Sequence, residues 1–205
     1  RLLGNPMAAY AGLRQRSSAG WAGVARHPGG WLLSLSPEQF FTIRGRTIVA
    51  RPMKGTAPRG ADRAEDRAEI AKLEADPKQR AENMMIVDLL RNDLARVAQA
   101  GSVEVPELFA VETYPTVHQM VSRVTATLRA DVDAVGVLET LFPCGSITGA
   151  PKLAAIQALR ALEPEPRGAY TGTMGWIGPD GDASFNVLIR TLELAEGATV
   201  ARLGL

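Results

Sequence analysis

Apolar and polar positions alternate in short stretches through the first quarter of the chain. The runs GWAGVARH, GWLLSLS, EQFFTIRG and RTIVARP, between residues 20 and 50, are rich in aromatic and branched residues and set apart by Gly, Pro or charged turns. That pattern predicts strands joined as an antiparallel meander. RPMKGTAPRG, residues 51–60, follows as a Pro- and Gly-rich turn. The texture then changes. ADRAEDRAEIAKLEAD is charged and alanine-rich, with Ile70 and Leu73 its only large apolar residues, and predicts an exposed helix. Beyond Pro77, KQRAENMMIVDLLRNDLARVA carries apolar residues around most of its circumference near positions 84–90. A deeply buried helix is expected there, ended by Gly101.

Residues 101–130 read as extended segments broken by Pro106 and Pro115. DAVGVLETLFP returns to helical periodicity, CGSITGAP is a glycine-rich turn, and KLAAIQALRALEP is a helix behind it. From Ala169 onward, GPDGD and AEG divide the rest into three strands. Strands, then helices, then strands predict an α+β fold with a mostly antiparallel sheet, not a doubly wound one.

Composition narrows the class. The 205 residues allow one large domain or two small ones, and 46% apolar with 22% charged residues is ordinary for a globular protein. A net charge of +1 argues against a nucleic-acid binder. No apolar run approaches the ~20 residues that span a bilayer, and the first residues lack the apolar centre of a signal peptide. The lone Cys144 cannot form an internal disulfide, which points to a reducing cytoplasm. Only His27 and His118 occur, far apart, so a histidine-rich zinc site is not expected. The chain opens on Arg and stops within an expected strand at VARLGL, so a piece of a longer protein is expected.

Four features carry chemistry. Lys54 sits among prolines and glycines, where it is a solvated loop lysine, an anion grip or, if desolvated, a nucleophile. Glu82 has Met85, Ile86 and Leu89 at i+3, i+4 and i+7. That spacing places a carboxylate on an apolar helix face, as a metal ligand or as part of an ion pair with helix neighbours such as Arg91. In CGSITGAPK, small residues precede a helix, so Ser146 and Thr148 either cap it or help bind an anion. Arg190 alternates with Leu188 and Leu192 in an expected strand, where it binds a carboxylate or pairs with Asp182 or Glu193. Cys144 and the methionines Met84, Met85 and Met120 read as packing residues.

The order of these features is distinctive. SPEQFF at 36–41 precedes RPMKGTAPRG and RAENMMIVDLLRNDLARV at 80–97. YPTVHQMVSRV at 114–124, LFPCGSITGAPK at 141–152, RGAYTGTMGWI at 167–177 and NVLIRT at 186–191 follow. Over nearly its whole length the chain resembles the chorismate-utilising enzymes, which include the anthranilate, aminodeoxychorismate, isochorismate and salicylate synthases. The resemblance implies a two-layer antiparallel β-sandwich with flanking helices. Residues 1–205 would form one chorismate-binding domain, incomplete at both ends and inactive alone. It also implies Mg²⁺ held by Glu82, the ring carboxylate of chorismate at Gly145 and Ser146, and the enolpyruvyl carboxylate at Tyr170 and Arg190. Thr56 would line the pocket beside the reacting ring.

Lys54 selects a branch. Anthranilate and isochorismate synthases typically carry alanine in P-x-A-G-T, whereas aminodeoxychorismate synthases carry P-x-K-G-T. In that branch the lysine is thought to attack C2 of the ring, expelling the C4 hydroxyl before ammonia adds at C4. The resemblance therefore implies amination of chorismate at C4 for 4-aminobenzoate and folate, with a glutamine amidotransferase as ammonia source. Anthranilate synthesis and a catalytically silent homologue are the alternatives. Two positions depart from the family pattern. Gln119 stands where a histidine is common, while His118 should face the opposite side of its strand and is assigned no catalytic role. Gln79 stands where an acidic residue is common, three positions before Glu82.

Overall fold

The computed structural model describes residues 4–17 and 19–204; Leu205, the last residue of the expected C-terminal strand, lies outside them. Helix α1 (Pro6–Gln15) begins at Asn5, whose side chain accepts from the Met7 amide, with Pro6 in the first turn. No helix was expected there, although Asn-Pro is a start signal. The expected meander follows as β1 (Gly23–His27), β2 (Gly30–Ser34), β3 (Gln39–Arg44) and β4 (Thr47–Ala50). The segment expected as a turn is instead strand β5 (Met53–Pro58).

Helices α2 (Arg63–Ala75) and α3 (Pro77–Ala95) are capped by Asp62 and Asp76, and Pro77 opens α3. Strands β6 (Glu104–Thr113) and β7 (Val117–Thr127) come next, then α4 (Ala134–Leu141) and the single turn α5 (Gly145–Thr148) where a glycine-rich turn was expected. Helix α6 (Lys152–Leu162) precedes β8 (Thr173–Ile177), β9 (Ala183–Val187), β10 (Thr191–Ala195) and β11 (Arg202–Gly204). Four strands thus replace the expected three. The apolar alternation through FNVLIRTLEL hides a break between β9 and β10, where Arg190 adopts φ +50°.

All pairings are antiparallel, in a sheet ordered β1-β2-β10-β11 and a larger one ordered β5-β7-β4-β3-β9-β8, with β6 added on β7. The α+β architecture of antiparallel sheets with helices is therefore as expected. Phe40, Phe41, Ile43, Ile48, Val124 and Ala126 of the large sheet pack on Ile86, Val87, Leu90 and Leu94 of α3 and on Val137 and Leu141 of α4. Burying side chains of this size contributes about 1.5–3 kcal/mol each.

Helix α3 is not buried all round. Met84 and Met85 are exposed, and burial is confined to the stripe Asn83, Ile86, Val87, Leu90, Asp93 and Leu94. The apolar thioethers had concealed an ordinary amphipathic helix. Of the methionines read as packing residues, only Met120 is buried, against Leu73 and Ala57.

Two connections carry the chain between the sheets, residues 35–38 from β2 to β3 and residues 188–190 from β9 to β10. They run side by side: the Leu35 amide donates to the Arg190 carbonyl and the Val187 amide to the Glu38 carbonyl, each at 3.1 Å.

Candidate active site

The two connections form one wall of a cleft. Glu38 and Pro37 come from the first and Ile189 and Arg190 from the second, facing Met53 and Thr56 of β5, Gln119 of β7, and Tyr114 with Thr116 at the β6–β7 turn. Strand alternation divides the work of β7. His118, Met120 and Ser122 point toward α2 and α3, and Gln119 points into the cleft. Across the strand pair, the Thr56 hydroxyl donates to Gln119 Oε1 at 3.1 Å.

Glu38 is the residue that sequence reasoning missed. It is 7% exposed, and its Oε1 has no hydrogen-bond partner among the described residues. Burial pushes its carboxyl pKa up, opposed by the Ser146 hydroxyl and then by the Lys54 charge. The carboxyl therefore gives up its proton less readily than an exposed glutamate would, with the Ser146 hydroxyl as a hydrogen-bond partner and the Lys54 charge within electrostatic reach. SPEQFF displayed this glutamate beside an apolar run, which was the available signal. Nothing local distinguished a buried acid from a surface one.

The strand holding Lys54 is irregular. Its pairing with β7 shifts register between Met53 and Thr56, and Gly55 takes φ +103°. A Cβ at Gly55 would lie 3.1 Å from Met120 Cβ and 3.2 Å from Gln79 Oε1, so conformation and crowding both require glycine. The departure at Gln79 thus falls on a residue that packs against this bulge.

Gly145 and Ser146 are buried in α5. A Cβ at Gly145 would stand 2.4 Å from Leu89 Cδ2, so close packing on α3 explains the glycine without a ligand. Ser146 approaches Glu38 and also contacts Cys144 Sγ at 3.2 Å. Cys144 is buried, and desolvation pushes its thiol pKa up to about 12, in keeping with a packing residue. The Thr148 hydroxyl donates to the Cys144 carbonyl at 3.1 Å.

The alternation reading of Arg190 does not hold, because the residue lies between strands. The partners anticipated for it are engaged elsewhere: Asp182 pairs with Arg44 at 3.0 Å, and Glu193 accepts from the Ala169 amide at 3.4 Å. Arg190 is exposed and lines the cleft. Its positive φ, and that of Thr171 at +65°, are strained for side-chain-bearing residues, at about 1–3 kcal/mol each. The Thr171 amide donates to the Leu188 carbonyl at 2.8 Å, two residues before Arg190. Tyr170 stands apart from the cleft, in a small crevice with Arg167, Thr191, Glu193, Arg202 and Gly204. The structure brings Thr56 and Arg190 into one cleft and leaves Tyr170 outside it.

Glu82 also differs from expectation. Its side chain is 45% exposed and faces Lys78 at 3.9 Å, while Met85 beside it is exposed. It is an accessible carboxylate on the rim of the helix, not a buried one. Magnesium takes few protein carboxylates and keeps waters, so Glu82 fits as one ligand. Among the described residues no group of three or more His, Cys, Asp or Glu could hold a metal. The remaining ion pairs on α3 are structural: Asp88 with Arg91 at 2.9 Å, and buried Asp93 with Lys152 at 2.5 Å.

Antiparallel sheets flanked by helices in this arrangement are the fold of the chorismate-binding enzymes. The chain belongs to that family: the model described as chorismate binding enzyme matches residues 1–204. It is 46% identical over 194 residues to aminodeoxychorismate synthase component 1 of Klebsiella aerogenes, covering 95% of this chain and 43% of that protein. It is 39% identical over 193 residues to anthranilate synthase component 1 of Haloferax volcanii, covering 94% of this chain and 37% of that one. The crystal structure of anthranilate synthase component I from Streptococcus pneumoniae superposes with a TM-score of 0.84 at 30% identity, over 93% of this chain and 42% of that one. The chain spans less than half the length of these relatives. Among the described residues no helix is long and apolar enough to cross a membrane.

Proposed function

We propose that the full-length protein is an aminodeoxychorismate synthase component I, which converts chorismate and ammonia to 4-amino-4-deoxychorismate for 4-aminobenzoate and folate. The observation that carries this reading is the buried Glu38 carboxyl on the cleft wall, its Oε1 without a hydrogen-bond partner among the described residues, within electrostatic reach of Lys54. The 46% identity to an aminodeoxychorismate synthase component 1 supports it.

The chemistry follows from that pair. Lys54 first gives up its ammonium proton to solvent and then, as the free amine, attacks C2 of the ring. The ring double bonds shift and the C4–O bond breaks. Glu38 gives its proton to the departing hydroxyl, which leaves as water. Ammonia then adds at C4, the bonds shift back, and the lysine nitrogen leaves C2. The proton lost from the added nitrogen restores Glu38, so chorismate and ammonia become aminodeoxychorismate and water. In this reading Thr56 and Gln119 line the ring, Arg190 binds the enolpyruvyl carboxylate, and Gly145 with Ser146 meet the ring carboxylate. Tyr170 joins through the family resemblance alone. Magnesium on Glu82 would offset the charge of the ring carboxylate. A glutamine amidotransferase subunit or domain supplies the ammonia, in the cytoplasm, and residues 1–205 act as one chorismate-binding domain.

Anthranilate synthesis is the second reading, favoured by the 39% identity to the Haloferax volcanii protein. Full-length protein with chorismate, ammonia and Mg²⁺ separates the two. Aminodeoxychorismate without pyruvate release is expected. Fluorescent 2-aminobenzoate with stoichiometric pyruvate would overturn the proposal. Mass spectrometry should detect a chorismate-derived adduct on Lys54 that Lys54→Ala abolishes.

A further inference from the structure

We infer that Asn83 and Ser122 are positioning residues for Lys54, holding its backbone through a directional chain of hydrogen bonds. The inference rests on the proposed role of Lys54 as the reacting amine. Where β5 shifts register against β7, between Met53 and Thr56, the bulged backbone of Lys54 and Gly55 falls out of the ladder. A bulged carbonyl needs another donor. Asn83 Nδ2 approaches the Lys54 carbonyl at 3.4 Å.

The direction of this amide is fixed from behind. Ser122 Oγ accepts from the Phe109 amide at 3.0 Å. Its own hydrogen is then free to donate, and it goes to Asn83 Oδ1 at 2.6 Å. With its oxygen committed there, Asn83 can present only its NH₂ group to Lys54. The reverse orientation would turn the Ser122 hydrogen away from its acceptor and set the Asn83 oxygen against the Lys54 carbonyl oxygen. Asn83 and Ser122 are both fully buried, so no water relieves such a mismatch.

The chain ties together the two irregular points that flank β7. Phe109 lies in β6 at φ +58°, where the β6–β7 pairing also shifts register. Lys54 lies in the bulge on the other side of β7. One turn before Asn83 on α3, Gln79 packs against Gly55. Helix α3 therefore fixes the lysine backbone through Asn83 and, one turn earlier, through Gln79 against Gly55.

The test uses the full-length protein carrying Asn83→Asp or Ser122→Ala. The first keeps the shape and the acceptor for Ser122 and removes the donor to Lys54. The second frees the amide to turn. Acetylation of Lys54 by acetic anhydride is followed across pH by peptide mass spectrometry. Lys72 and Lys78, with side chains 71% and 80% exposed, are internal controls. Turnover of chorismate with ammonia is measured in parallel.

Expected is a change of about fivefold or more in Lys54 acetylation with the control lysines unmoved, and kcat lower by about tenfold or more with KM within about twofold. If a variant loses thermal stability but its Lys54 profile superimposes on that of the unaltered protein, the residues are merely structural and the inference is overturned. Should Asn83→Asp fail to fold, Ser122→Ala decides alone. Ser122→Thr, which keeps the hydroxyl, is expected to retain the original Lys54 profile. A Lys54→Ala protein with full turnover would instead overturn the nucleophile assignment, and the acetylation profiles would still decide whether Asn83 and Ser122 set the lysine's environment.

Discussion

Thr56 and Gln119 sit directly opposite each other on β5 and β7, and the Thr56 hydroxyl donates to Gln119 Oε1 at 3.1 Å. With its oxygen held, the Gln119 amide keeps its N–H groups for a ligand oxygen in the cleft, and the group does not titrate as a histidine would. Gln119→Leu is expected to raise KM for chorismate about tenfold, the scale of one to two lost hydrogen bonds. Steady-state kinetics on the full-length protein check this, with the melting curve expected to change little.

Glu38 sets activity against stability. A carboxyl with a raised folded pKa carries no pH-dependent cost while folded and unfolded forms are both protonated. The cost enters as pH rises through the ordinary glutamate value of about 4.3, because the unfolded chain ionises first. It grows until the folded group itself ionises. Glu38→Gln is therefore expected to match the parent near about pH 3 and to exceed its stability by about 1–3 kcal/mol near about pH 8. Denaturant melts at the two values test this, and product formation by Glu38→Gln should be lost.

Gly145 and Leu89 form a packing pair. Gly145→Ala places a methyl 2.4 Å from Leu89 Cδ2 and is expected to cost about 1–3 kcal/mol. Leu89→Ala should be less harmful in that background than in the parent. A double-mutant cycle by urea unfolding reads the coupling.

Lys152 joins α6 to α3 through buried Asp93, and also donates to the Leu141 carbonyl at 2.8 Å. Lys152→Met strands the Asp93 carboxylate and is expected to cost about 3–5 kcal/mol. Adding Asp93→Leu should recover much of that loss, measurable as a shift of the urea midpoint.

The sequence pattern located most strands and all the longer helices after residue 20, because alternation and helical spacing report burial directly. It erred where apolar character and burial part company. Met84 and Met85 read as core and face solvent. Leu188 and Ile189 prolonged an alternation across a point where the chain leaves one sheet for the other. Pro52, Gly55 and Pro58 suggested a turn in what is a bulged strand. At the cleft, Thr56 and Arg190 were legible as a pair only through the order of the family blocks. His118, assigned no catalytic role from the sequence, is buried between Thr113 and Asp66, at 3.0 and 3.1 Å. Glu38 was invisible because its character comes from neighbours more than a hundred residues away as well as from the nearby Lys54.

The adjoining connections between the sheets have a mechanical consequence. Residues 35–38 and 188–190, the continuous links from β2 to β3 and from β9 to β10, are tied by the Leu35–Arg190 backbone hydrogen bond and, at the end of β9, by that from Val187 to Glu38. Any change in the angle between the sheets would have to pass through both links together, and these links carry Arg190 in its left-handed conformation and the buried Glu38.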